Sequence, residues 1–260
     1  MVNLRDNWFD PPASSFFKAS ISGGAEPDAH IDVLPLHRLL YVSIPKCAST
    51  AIKAVLSALN GKALVLPDEL QTRRLTGLRS PSQVGLSAFH QLATRASTLR
   101  FTFVRNPYAR LVSAWADKFQ NKPLVAGDPF VDLYLEHRAS INRSLPYGAE
   151  HILPFESFVE FATVTADRRV DAHWNLQSGL INIPGIELNF IGRVENFQYE
   201  FTTVMDHVGA DDRLRRLVDV HFNPSSHRSW QDYYSRHLAN RVYRAYERDF
   251  DGFRYSRAQQ

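Results

Sequence analysis

One arrangement of apolar and polar positions occurs twice in the chain: a short apolar run, a polar turn, then apolar residues spaced three and four apart. The first instance begins with "RLLYVSI" (38–44), whose β-branched and aromatic content predicts a buried strand. Ile52, Val55, Leu56 and Leu59 then fall at i, i+3, i+4 and i+7, which predicts a helix that Ser49 or Thr50 caps and Gly61 ends. The second begins with "LRFTFV" (99–104), a strand, followed by Asn106 as N-cap and Pro107 at the favoured first helical position. The helix over 107–120 puts Leu111, Val112, Trp115 and Phe119 on one face and Asn106, Arg110, Ser113 and Asp117 on the other. "ALVLP" (63–67) and "ELNFIG" (187–192) read as further strands. "DELQTRRL" and "SPSQVGLSAFHQLA" read as short helices, and longer helices are expected near 128–142, 154–165, 194–208, 211–219 and 236–248. Strands alternating with helices, and a helical C-terminal half, predict an α/β fold with a central, mainly parallel sheet flanked by helices. Residues 1–36, rich in Pro, Ser, Gly and Asp, read as an irregular arm, and 37–260 as a single domain.

Composition narrows the class without choosing a function. The 260 residues are 44% hydrophobic and 22% charged, as in an ordinary soluble globular protein. Thirty Lys and Arg against 27 Asp and Glu give a net charge of +3, which favours anionic ligands weakly. No basic stripe interleaved with aromatics points to nucleic acid. A single cysteine, Cys47, excludes an intramolecular disulfide. The N-terminal stretch lacks the apolar segment of a secretory signal, and no run approaches the length of a transmembrane segment. The expected location is therefore the cytoplasm. No cluster has the spacing of a metal site.

In an open parallel sheet, ligands sit beyond the carboxyl ends of the strands. Two such ends carry suitable chemistry here. "PKCASTA" (Pro45, Lys46, Cys47, Ala48, Ser49, Thr50, Ala51) enters a helix, where consecutive N–H groups and the helix dipole attract an anion. Lys46 adds a mobile charge, the hydroxyls add donors, and the small side chains allow close backbone approach. The loop has no glycine, unlike the G-x-x-x-x-G-K-[ST] loop of nucleotide-binding enzymes. "FVRNPYARLVSAW" (103–115) places Arg105 at the end of a buried strand, where a guanidinium needs an anion or carboxylate. Ser113 lies two turns into the following helix, and the pair suits a phosphate.

These two stretches resemble the cofactor signatures of the carbohydrate sulfotransferase family (family 2). Two more stretches extend the likeness. "DAHWNLQSGL…LNFIGRVENF" (171–197) is similar to the family's His-Trp-x-x-Gln segment and the strand after it, and "VYRAYERDFDGFRYS" (242–256) to its C-terminal ending. The resemblance implies a P-loop-NTPase-like sulfotransferase fold and the donor 3′-phosphoadenosine 5′-phosphosulfate (PAPS), with no metal. It implies that Lys46 and the loop from Cys47 to Ala51 hold the 5′-phosphosulfate, and that Arg105 and Ser113 hold the 3′-phosphate. Similar late loops close over the cofactor, which brings in Ser226 and Arg228 of "HFNPSSHRSW" (221–230). The glycan-modifying animal members carry paired cysteines near the His-Trp segment and a membrane anchor; this chain has "LINIPGIE" there.

Sulfuryl transfer resembles phosphoryl transfer: in-line displacement through a loose transition state, helped mostly by positioning and electrostatics. Lys46 is placed to neutralise the leaving phosphate oxygen. The acceptor, a hydroxyl of a carbohydrate or glycoconjugate, needs a base. His90, shortly before the 99–104 strand, is the first choice, with His173 and Glu195 as rivals. His173 and Trp174 are assigned to the acceptor pocket, with packing in the core as the other reading of "DAHW". The competing readings are a small-molecule kinase and a non-catalytic glycan- or anion-binding protein on the same fold.

Overall fold

The computed structural model describes residues 27–62, 69–70, 72–141, 151–168, 170–218 and 229–257. Along the chain these form β1 (Ile31–Leu34), β2 (Leu39–Val42), α1 (Ser49–Leu59), α2 (Leu86–Thr94), β3 (Leu99–Val104), α3 (Pro107–Lys118), α4 (Pro129–Ser140), α5 (Phe155–Thr165), β4 (Phe190–Arg193), α6 (Thr202–His207) and α7 (Arg236–Ala245), with shorter helical turns between them. The strands form one sheet in the order β1-β2-β3-β4. β1 pairs antiparallel with β2, while β2–β3 and β3–β4 are parallel. The protein is thus α/β with a mostly parallel sheet. The described residues group into two compact units, one up to Arg105 and from Gly179 to 218, the other from Asn106 to Ser178 and from 229 onward.

The first unit holds the sheet. β2 and β3 are buried along nearly their whole length, as expected of strands covered on both faces. On one face, Ile52, Val55 and Leu56 of α1 pack with Leu39, Tyr41, Phe101 and Phe103, and with Phe201, Val204 and Met205. On the other, Phe89, Leu92 and Ala93 of α2 pack with Val33, Leu40 and Val42. Gly192 of β4 lies opposite Phe103, and a Cβ at Gly192 would stand 2.5 Å from the Phe103 ring. That ring is wedged among Phe101, Phe190, Phe197 and Phe201, so it has nowhere to move. Gly192→Ala is expected to lower stability by about 1–3 kcal/mol, the usual cost of overpacking, which a denaturant titration would read as a lower midpoint.

The second unit is helical, with an aromatic core. Trp174 sits at its centre against Phe119, Phe130, Phe158 and Phe161. Buried polar bonds tie its sequence signatures together. Arg110 of α3 is buried and donates from Nη1 to the Asn175 carbonyl at 2.8 Å and from Nη2 to the Ala172 carbonyl. Asp249, fully buried, accepts from the amides of Gln177 and Ser178, each at 2.8 Å. The Tyr246 hydroxyl donates to the Trp174 carbonyl.

Several elements differ from expectation. "IDVL", part of the expected irregular arm, forms edge strand β1. It is too short, and too interrupted by Asp32, for periodicity to reveal. The strand expected over 187–192 begins at Phe190, because Asn189 is used as a clamp: its Nδ2 donates to the Thr98 carbonyl and its Oδ1 accepts from the Arg100 amide. The helix expected over 194–208 is a 3₁₀ turn followed by two short helices. The helix over 236–248 breaks at Tyr246, where φ is −113°. The strand expected at "ALVLP" lies outside the described residues, as does most of the arm.

Candidate active site

The loop after β2 resolves the absence of glycine. Lys46 (φ 67°) and Ala48 (φ 59°) both adopt the left-handed backbone conformation that glycine would supply. Cys47 lies between them, fully buried, and its amide donates to the Ile44 carbonyl at 3.2 Å. The Cys47 side chain is thus part of the buried core. Ala48 is the N-cap of α1 and has no side chain with which to cap it. The first intrahelical bond is Ile52 N–H to the Ala48 carbonyl at 3.0 Å. This leaves the Ser49, Thr50 and Ala51 amides at the head of an 11-residue helix, next to alternating backbone twists of the kind that make anion-binding nests. Left-handed geometry costs a non-glycine residue about 1 kcal/mol or more. Ala48→Gly is accordingly expected to leave the loop intact and to match or slightly exceed wild-type thermal stability, whereas a β-branched Ala48→Val should lower it.

Arg105 meets this loop from the neighbouring strand. The β2–β3 register pairs Tyr41 with Phe101, and the same offset sets Pro45 level with Arg105. The Thr102 hydroxyl bonds the Val42 carbonyl at 2.7 Å, which holds the two strand ends together. Arg105 Nη1 reaches the Lys46 carbonyl at 3.4 Å. Both cations thus stand at the carboxyl edge of the sheet within one unit, where an α/β fold places its ligands.

A charge cluster joins the helix after the loop to the edge of the sheet. Asp32 of β1 accepts from Arg73 at 2.6 Å and faces Lys53 of α1 at 3.9 Å. Arg73 also donates to the Asp28 and Ile31 carbonyls. Burial pushes the Asp32 carboxyl up against the pull of Lys53 and Arg73, and it pushes the Lys53 ammonium down. Lys53 is one turn beyond Ser49, so the cluster pins the first turns of α1 to the edge of the sheet. Periodicity gave no sign of it, because Lys53 sits among apolar inward positions and its partners are distant in sequence.

The remaining expected site residues lie on several elements of the two units. His90 lies on α2 of the first unit, exposed, with no hydrogen bond to its side chain among the described residues. Glu195 is exposed in the turn after β4. Ser113 is half-buried on α3 of the second unit. His173, also in the second unit, has its Nδ1 2.7 Å from Asp171 Oδ1, which also accepts the His173 amide at 2.8 Å. Burial pushes the Asp171 carboxyl up, but the His173 hydrogen bond, its charge and amide, and Lys118 outweigh that and leave it below the ordinary carboxylate range. Trp174 is a correction: with no exposed surface it belongs to the aromatic core and does not line an acceptor pocket. Ser226 and Arg228 lie outside the described residues. Arg110 and Asp249 went unrecognised in the sequence. Helical spacing put Arg110 on the polar face of its helix, and its carbonyl partners lie more than sixty residues away.

The described residues define an α/β protein whose mostly parallel sheet carries a lysine-bearing loop after one strand and an arginine after the next. The profile of the sulfotransferase family (family 2) matches residues 29–256, and the chain belongs to that family. It is 28% identical over 263 residues to human carbohydrate sulfotransferase 8, covering 94% of this chain and 60% of that protein. It is 26% identical over 197 residues to zebrafish (Danio rerio) carbohydrate sulfotransferase 11, covering 72% of this chain and 54% of that protein. The chain thus spans little more than half the length of these curated relatives. No solved structure matches it significantly. Among the described residues, no helix is long and apolar enough to cross a membrane.

Proposed function

We propose that this chain is a PAPS-dependent sulfotransferase on a P-loop-like fold, which moves a sulfuryl group to a hydroxyl of a carbohydrate or glycoconjugate. The observation that carries this reading is the glycine-free loop, twisted left-handed at Lys46 and Ala48 and set beside Arg105 at the carboxyl edge of the sheet. Such a loop is short: it suits one phosphate carrying one sulfuryl group, not a triphosphate tail. Family membership supports the donor, and the names of the relatives support a carbohydrate acceptor.

In this mechanism the α1 amides, Ser49 and Thr50 hold the 5′-phosphosulfate. Arg105 holds the 3′-phosphate, and Ser113 is assigned to the same phosphate on its signature alone. The acceptor oxygen attacks sulfur as the bond from sulfur to the phosphate oxygen breaks. Lys46 neutralises the charge that builds on that leaving oxygen. The acceptor proton passes to a base, for which His90 is the assignment; it lies in the same unit as Lys46, as does its rival Glu195, whereas His173 does not.

The test is a thermal-shift titration with 3′-phosphoadenosine 5′-phosphate, followed by transfer of labelled sulfate from PAPS to a panel of oligosaccharides. No shift at millimolar nucleotide would overturn the reading, and ATP binding that requires magnesium would favour a kinase. His90→Ala is expected to slow turnover by about a hundredfold, the lower range for a lost general base, with nucleotide affinity unchanged. If His173→Ala shows that loss and His90→Ala does not, the base is His173, oriented by Asp171.

A further inference from the structure

The helix that leaves the phosphate loop carries a second lysine, Lys53, and its side chain is turned inward. Lys53 is 7% exposed, among the buried positions of α1. Its Nζ stands 3.9 Å from Asp32 Oδ2. Asp32, 2% exposed, gives its other oxygen to Arg73 at 2.6 Å. Oδ2 accepts no hydrogen bond among the described residues, so its charge is met by the Lys53 ammonium. Arg73 is itself held, since it donates to the Asp28 and Ile31 carbonyls. Asp28 in turn accepts from the Ser82 amide at 3.0 Å. The carboxylate is thus a fixed post at the edge of the sheet, and α1 is tied to it through Lys53.

Stability does not account for this arrangement. A buried ion pair offsets its desolvation only in part, and apolar residues of similar size are often as stable in its place. What the pair adds is direction. Ile52, Val55 and Leu56 pack against the sheet by shape alone, which tolerates small rotations of the helix. A charge facing a held carboxylate does not. The start of α1 has little else to orient it, because Ala48 offers no capping side chain. Lys53 follows Ser49 by four residues, about 6 Å along the axis. Rotation of α1 at Lys53 therefore turns the Ser49, Thr50 and Ala51 amides with it. Donors must stay within about 0.5 Å and 10–20° of their productive placement to hold a ligand well. Tyr41 extends the cluster toward the loop. It pairs with Asp32 across β1 and β2 and is fully buried. Burial raises its hydroxyl, Ser43 pulls it down, and Asp32 and Cys47 raise it again, which places the hydroxyl in electrostatic reach of both.

We propose that Lys53 and Asp32 are positioning residues of the donor site: their ion pair sets the rotation of α1, and with it the direction in which the Ser49, Thr50 and Ala51 amides meet the 5′-phosphosulfate. The identity of the donor rests on the sulfotransferase reading above. The control of the loop by the pair rests on the cluster alone. The two lysines then have separate roles. Lys46 acts on the leaving oxygen, and Lys53, seven residues on, orients the helix without touching the donor. Their losses differ in kind: Lys46→Ala lowers turnover and largely spares nucleotide affinity, whereas Lys53→Met should weaken affinity and largely spare turnover.

Binding, kinetics and thiol labelling of the full chain test this together. Lys53→Met is expected to raise the Kd for 3′-phosphoadenosine 5′-phosphate and the KM for PAPS by about tenfold, with kcat within about threefold of wild type. Lys53→Arg, which keeps the charge, should recover most of that loss. Asp32→Asn removes the charge but leaves Arg73 an acceptor, and it should weaken binding to a similar extent. The Lys53→Met/Asp32→Asn double variant should bind no worse than the weaker single variant, because both changes remove one interaction. Cys47, the only cysteine and fully buried, reports the loop without any nucleotide. Its alkylation, measured at the same interval below each melting temperature, should be about tenfold faster in Lys53→Met and Asp32→Asn than in wild type. Wild-type affinity and labelling in these two variants, additive losses in the double variant, or losses that simply follow the melting temperature would overturn the proposal. If Lys53→Met does not fold, Asp32→Asn alone decides. Failure of the wild-type chain to bind the nucleotide would instead overturn the sulfotransferase reading, and the Cys47 labelling rates still decide whether the pair holds the loop.

Discussion

Lys46→Ala is expected to lower turnover by two to three orders of magnitude while the folded structure and its melting temperature stay as in wild type. The size follows from losing one preorganised charge at a developing oxyanion, typically worth about 10²–10³ in rate. The backbone explains why the fold should survive. Lys46 is left-handed, and its carbonyl, not its side chain, accepts from Arg105. Alanine occupies the same conformation next door at Ala48, so truncation removes the ammonium and leaves the turn. Affinity for 3′-phosphoadenosine 5′-phosphate should fall far less than turnover, because that product lacks the bond that breaks. Lys46→Arg should recover little, since a planar fork does not replace a point charge in a loop this short. A variant that turned over at wild-type speed would remove Lys46 from the chemistry. A variant that unfolded would show that the ammonium holds the loop together.

The strand–loop–helix units around residues 45 and 105 were legible because apolar spacing marks buried strands and amphipathic helices directly. The helices at 129–140 and 155–165 match their expected spans closely. The backbone of the phosphate loop was not legible. Left-handed residues are usually announced by glycine, and here a lysine and an alanine take that conformation, with the buried Cys47 between them. Trp174 shows a different limit. Beside a histidine in a signature segment, a tryptophan reads as either a ligand-facing or a core ring, and local sequence cannot choose because the four phenylalanines that enclose it come from three separate stretches of chain. The Asp32, Lys53 and Arg73 cluster likewise joins β1, α1 and the turn at Arg73–Thr76, a meeting that no local pattern encodes.

Asp249→Ala should give the largest loss of stability. Its two carboxylate oxygens accept separately from the Gln177 and Ser178 amides, which are the first N–H groups of the helical turn Gln177–Ile181. Asp249 therefore caps that turn from more than seventy residues away. Both amides lose their acceptor in alanine, one buried and one partly buried, at about 1–3 kcal/mol each. A total near 4 kcal/mol is a large share of a typical folding free energy of about 5–15 kcal/mol, and would lower the melting temperature by roughly 10 °C in a chain this size. Asp249→Asn should fall in between, since its amide oxygen can satisfy one donor while its NH₂ group confronts the other. The kinetic signature should differ from that of Lys46→Ala: activity should track the folded fraction and recover on cooling, because no reacting group has been removed. A melting temperature within two or three degrees of wild type would show that water or a backbone shift satisfies both amides. The C-terminal signature would then need a reason other than anchoring the His-Trp segment.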